Sequence, residues 1–132
     1  MTEAIDIHGT AFKNGSITLL ARVVDGNGDN VVPAEVSAVG YTVYLLNDRD
    51  ADDRIAIDGH AEVNLSVAEV VFAALQTDSL WTVDAVGYNF RHSLDVSAHQ
   101  AFAIAGRRYL VEYRLTPAVG QVILARFRIN VI

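Results

Sequence analysis

Oxygen-bearing side chains recur at alternate positions in Asp25-Gly26-Asn27-Gly28-Asp29-Asn30. Asp25, Asn27 and Asp29 fall on the first, third and fifth places of a calcium loop. Calcium takes about six to eight oxygens, often including a bidentate Glu at the twelfth place. That place is Val36 here, Glu35 comes one residue early, and Asn30 stands where the loop needs Gly. The segment therefore reads first as a hairpin loop of turn-forming residues. Calcium on Asp25, Asn27 and Asp29 is the alternative, and no other cofactor is expected.

A denser acidic group, Asp48, Asp50, Asp52 and Asp53, lies between Arg49 and Arg54. Such a loop is ordinarily solvated and paired with its own arginines. It also offers a docking patch for a basic partner. His8, His60, His92 and His99 form no HExxH and no helical-spacing pair. The last three would act together only if the fold gathered them. No Gly-x-Ser-x-Gly elbow is present, and Gly26-Asn27-Gly28 lacks the third glycine of a dinucleotide site. The expectation is a non-enzymatic protein. Asn14-Gly15-Ser16 and Asn64-Leu65-Ser66 match the glycosylation sequon, but a turn and a helix cap explain both. Trp81, Tyr88 and Phe90 are candidates for a sugar-stacking surface, although a single Trp in a small β domain is expected in the core.

These residues belong to a chain of 132 residues, 52% hydrophobic, with no Cys and a net charge of -6. The length suits one domain spanning 1–132 with its own core. No disulfide or thiolate chemistry is possible. The acidic balance argues against a nucleic-acid partner. No apolar run approaches the ~18 residues of a membrane span. Met1-Thr2-Glu3-Ala4-Ile5-Asp6 lacks the basic-then-apolar pattern of a signal peptide.

The elements that would position these residues are strands. Asn14-Gly15 marks a turn, and Ser16–Val24 reads as a strand with Ile17, Leu19, Ala21 and Val23 on its apolar face. Val36–Leu46 is apolar on both faces, as befits a central strand. Arg54–Ile57 and Glu62–Leu65 are short extended pieces. Ser66-Val67-Ala68-Glu69 resembles a capping box and predicts a helix from Val67 to about Gln76. Trp81–Val86 and Tyr88–His92 look extended around Gly87. Arg107–Leu115 and Gln121–Val131 close the chain as a hairpin through Thr116-Pro117-Ala118-Val119-Gly120. Inward residues of that hairpin are Tyr109, Val111, Tyr113 and Leu115, then Ile123, Ala125, Phe127, Ile129 and Val131. The total is about seven strands and one short helix, an all-β antiparallel sandwich rather than a parallel sheet, with a small barrel as the structural alternative.

Gly106-Arg107-Arg108-Tyr109-Leu110-Val111-Glu112-Tyr113 and the following Gly120 turn resemble the final hairpin of Ig-like domains. Domains of that kind occur in tailed-phage virion proteins and bacterial surface proteins. The strand entering Asp25-Gly26-Asn27, with Pro33 before the next long strand, is similar to the opening of such domains. The resemblance implies an Ig-like β-sandwich in which Tyr109 anchors the penultimate strand, with the helix at 67–76 as an insertion. It implies no catalytic residues.

Charge is unevenly spread. Residues 1–84 hold 14 acidic and 4 basic residues, net -10; residues 85–132 hold 2 acidic and 6 basic, net +4. Alternation puts Arg114, Arg126 and Arg128 on the outer face of the last hairpin. That face and the loop carrying Asp48, Asp50, Asp52 and Asp53 are complementary, so the expected partner is another copy of the chain in a homo-oligomer or polymer. A virion or extracellular assembly is the favoured setting.

Overall fold

The computed structural model describes residues 6–47, 49–50 and 53–132. Strands are β1 (Asp6–Ala11), β2 (Thr18–Ala21), β3 (Val36–Leu46), β4 (Arg54–Ala56), β5 (Val63–Leu65), β6 (Val71–Gln76), β7 (Tyr88–Ser93), β8 (Arg108–Pro117) and β9 (Ile123–Val131). One sheet runs β1-β9-β8-β3-β4, with β5 also paired to β3; the other runs β2-β7-β6. The architecture is an all-β sandwich. Its pairings are antiparallel except β1 with β9, which is parallel.

The core follows from alternation. Val39, Tyr41 and Val43 of β3, Tyr109, Val111, Tyr113 and Leu115 of β8, and Phe127, Ile129 and Val131 of β9 are buried together with Leu19, Ala21 and Phe90 from the opposite sheet. Burying such side chains supplies the main drive to fold, about 1.5–3 kcal/mol for each large one. The sequence places β3 centrally, and it is flanked by β8 on one side and by β4 and β5 on the other. Both its faces are covered, since Thr42 and Leu46 are buried as well as Tyr41 and Val43. The terminal hairpin holds through eight registered pairs, Arg108↔Asn130 to Leu115↔Ile123.

Several sequence expectations need correction. The helix expected over 67–76 stops after one turn, α1 (Val67–Val70), and Val71–Gln76 is strand β6. Ser66 occupies the N-cap position but its side chain makes no capping hydrogen bond. Val70, Val71 and Phe72 are β-branched or aromatic and favour a pleated surface. Pairing Val71 with Phe90 buries Val71, so sheet formation wins over local helix signals. Trp81–Val86 forms a loop rather than a strand. The long strand expected from residue 16 to 24 is regular only over Thr18–Ala21. Strand β1 is not among the sequence expectations, although Ile7, Gly9 and Ala11 alternate with Asp6, His8 and Thr10; it forms by parallel pairing with β9. Nine strands are thus described where spacing counted about seven.

Tyr109 enters β8 almost fully buried, edge-on to Phe102 at 5.4 Å. Its hydroxyl accepts the backbone N–H of Ile104 at 3.1 Å. Asn89 ties the first loop to β7. Its Oδ1 accepts the N–H of Val23 at 2.7 Å, and its Nδ2 donates to the carbonyls of Val23 at 2.8 Å and Val31 at 2.9 Å.

Candidate functional site

Half of the chain's ten Lys and Arg residues lie on the outward face of the larger sheet. Arg126 and Arg128 alternate along β9 with the buried Ala125, Phe127 and Ile129, and so project away from the core. Arg108 and Arg114 take the same face of β8, and Arg54 stacks its guanidinium 4.2 Å over Tyr44. Arg114 is exposed, whereas Arg126 and Arg128 are half-buried. Arg126 Nε lies 3.7 Å from Glu112 Oε2 across the hairpin. Leu110, only 1% exposed, sits between the registered neighbours Arg128 and Tyr44 on this face. Long arginine stems can cover such an aliphatic side chain while their charged heads stay wet.

Of the acidic loop, Asp50 and Asp53 are exposed in the β3–β4 turn, while Asp48 and Asp52 lie outside the described residues. The turn closes through Asn47 N–H to Asp53 O and Asn47 Nδ2 to Asp53 Oδ2, each 3.0 Å. β4 and β9 are three strand spacings apart in the sheet order. At ~4.8 Å per spacing this separates the acidic turn from the Arg126–Arg128 row by ~14 Å. The acidic turn thus lies apart from the Arg126–Arg128 row, while Arg54 of the same outward face directly follows Asp53.

In the 25–30 loop, the Asp25 carboxylate accepts the N–H groups of Asn27 at 2.9 Å and Asp29 at 3.1 Å. Val24 and Asn30 form a bridge that closes the loop. Asp25 Oδ1 is thus occupied with turn formation. Among the described residues, no three His, Cys, Asp or Glu side chains are grouped to hold a metal.

Trp81, expected in the core, is half-buried at the sandwich flank. Its indole N–H donates to Asp84 at 2.9 Å, and its ring lies 5.7 Å from Tyr88. Asp84 also accepts the N–H groups of Val86 and Gly87 and pairs with Arg22 at 2.8 Å. These bonds, the Trp81 indole foremost, hold the Asp84 carboxyl well below the usual carboxylate range. Trp81 lines a groove of 190 Å³ with Ile7, Ile17, Leu20, Leu80 and Val83. The satisfied Asp84 turn is what keeps the indole out of the core.

The fold brings two of the four histidines together inside the sandwich. His60 Nε2 donates to the carbonyl of His99 at 2.8 Å. In the neutral ring this leaves Nδ1 an acceptor, so the Tyr41 hydroxyl 2.7 Å away donates to it. The Tyr41 ring is 5.1 Å from that of His92, whose Nδ1 is 2.7 Å from the Tyr113 hydroxyl. Burial, then the nearby His60, pushes His92 down to about 4. Burial raises both tyrosines; Asp95 adds to the effect on Tyr41 and Tyr41 to that on Tyr113. His99 meets the group through its backbone, with its ring against Gly59, and His8 lies elsewhere, on β1. His92 also lines a cleft of 320 Å³ with Leu65, Glu69, Val70, Arg91 and Ser93. Sequence reasoning left the convergence open and missed Tyr41, Tyr113 and Asn89. Inward alternation flagged both tyrosines as core, but nothing local marks their hydroxyl partners.

Comparison with known protein families, with curated proteins and with solved structures finds no match. No helix among the described residues is long and apolar enough to cross a membrane.

Proposed function

We propose that this chain is a non-enzymatic Ig-like domain that assembles with copies of itself, as a structural subunit of a virion or an extracellular filament. The observation that carries the reading is the segregation of charge. Arg54, Arg108, Arg114, Arg126 and Arg128 share one sheet face in a protein of net charge -6. The acidic side chains of Asp25, Asp29, Asp50 and Asp53 sit on loops. A basic face on one copy and acidic loops on the next make a heterologous contact, which closes into rings or extends into filaments.

The Ig-like assignment is supported by strand order. β2-β7-β6 has the order of strands B, E and D, and β9-β8-β3-β4 that of G, F, C and C′. The bond from Ile104 N–H to the Tyr109 hydroxyl at the start of β8 has the form of a tyrosine corner. A carbohydrate-binding module is the second reading, favoured by the half-buried Trp81 beside the flank groove.

Sedimentation across protein concentration and ionic strength tests the first reading. Association is expected at low salt. Both added salt and the double variant Arg126→Glu, Arg128→Glu should weaken it. A strict monomer at high concentration and low salt refutes it.

A further inference from the structure

Among the described residues, the inner faces of the sandwich are mainly apolar, and His60, Tyr41, His92 and Tyr113 form a polar cluster between them. There, β7 of the smaller sheet touches β3 and β8 of the larger one through hydrogen-bonded rings rather than aliphatic packing. The same cluster ties down two loops. His60 bonds the carbonyl of His99, and Gly59, at φ +82, fits beneath the His99 ring. We propose that this cluster is an acid-sensitive latch, which holds the two sheets and the 57–62 and 94–102 loops together near neutral pH and releases them as the solution is acidified. The latch is independent of whether the chain assembles.

The geometry explains why acid would act here. Tyr113 is completely buried, and its hydroxyl has Nδ1 of His92 as its hydrogen-bond partner. With Nδ1 as acceptor, Tyr113 donates to it. A proton placed on Nδ1 reverses that bond and leaves the Tyr113 hydroxyl hydrogen without its acceptor. The new charge would also sit in a desolvated site facing His60. Outside, the cleft beside His92 is lined by Glu69 of α1 and Arg91 of β7. Arg91 is drawn toward the Phe72 ring, 5.4 Å away. An emerging His92 cation would therefore meet one acidic and one basic side chain there. Asp95, which follows β7, interacts electrostatically with His60 and Tyr41. Tyr41 and Tyr113 complete the titratable groups around the ring.

The direction follows from linkage. His92 binds its proton less readily in the closed form than in an open one, so acid favours the open form. Closure is fully favoured above ~6.5 and weakens as pH falls toward 4. A group held at about 4 when closed and near 6.5 when open gives an opening equilibrium about 25-fold larger at pH 5 than at pH 7. His92 is partly solvated through the cleft, so about tenfold is the working figure.

Amide hydrogen exchange on the intact protein, read as protection factors at pH 7 and pH 5, tests the latch. Protection in 57–62, 88–93 and 94–102 is expected to fall about tenfold, while Tyr109–Leu115 and Ala125–Val131 keep theirs. His92→Phe retains a ring and removes the titrating group, so the pH response should vanish. If that variant does not fold, the imidazole titration of the unmodified protein decides. His92 should then titrate well below the ~6.5 of an ordinary imidazole. Protection that does not change with pH overturns the latch. So does a response that persists in folded His92→Phe, or a His92 that titrates in the ordinary imidazole range.

Discussion

Replacing Asn89 with Ala tests how the first loop is held. Asn89 is 1% exposed, and its amide makes three hydrogen bonds, to Val23 N–H, Val23 O and Val31 O. Asn89→Ala removes all three partners at once. Val23 N–H loses its side-chain acceptor in a buried setting, a cost of about 1–3 kcal/mol. Val23 O keeps a second donor, the N–H of Val31 at 3.0 Å, so its loss is nearer the ~1 kcal/mol of an ordinary hydrogen bond. A similar amount applies to Val31 O, and the vacated amide volume adds ~1 kcal/mol. The expected total is about 4–6 kcal/mol, or roughly 15–25 °C in Tm for a domain of this size. Urea unfolding gives the difference directly, provided the slope with denaturant is unchanged. Asn89→Asp sharpens the test. At neutral pH it keeps an acceptor for Val23 N–H but turns a carboxylate oxygen toward two carbonyls. It should therefore be at least as damaging, and part of the loss should be recovered as acid protonates the new carboxyl and restores one donor. A loss below ~1 kcal/mol for Asn89→Ala would refute the idea that this amide organises the 23–31 loop.

Two further perturbations probe the anchors around it. Gly59→Ala places a methyl group 2.2 Å from the His99 ring at a residue with φ +82, so it should destabilise by about 1–3 kcal/mol in thermal unfolding. An unchanged Tm would mean that the His99 ring does not pack there. Tyr109→Phe keeps the edge-on contact with Phe102 but removes the acceptor for Ile104 N–H. A loss of about 1 kcal/mol is expected in the same assay, with hydrogen exchange at Ile104 accelerated more than in β9.

Period-2 alternation in Val36–Leu46, Arg107–Leu115 and Gln121–Val131 assigned the central strand, the terminal hairpin and their inward residues, because side-chain direction in a strand is a local property. The same reasoning put Arg114, Arg126 and Arg128 on the outward face. Charge counts along the chain revealed the basic C-terminal part, since composition needs no geometry. Turn residues bounded the 25–30 loop for the same reason.

Other features depended on pairing between distant segments. Val71–Gln76 follows a helix-start signal at 66–69, yet the site opposite Phe90 made it a strand. β1 alternates but carries only Ile7 and Ala11 as apolar side chains, and it is held by pairing with β9. Trp81 stays at the surface because Asp84, fixed in its turn, captures the indole N–H. The link from His60 to His92 through Tyr41, and the three bonds of Asn89, join residues far apart in the chain. Tertiary structure decided these because a buried polar group takes whichever partner the packing brings within reach, and that partner leaves no trace in the neighbouring sequence.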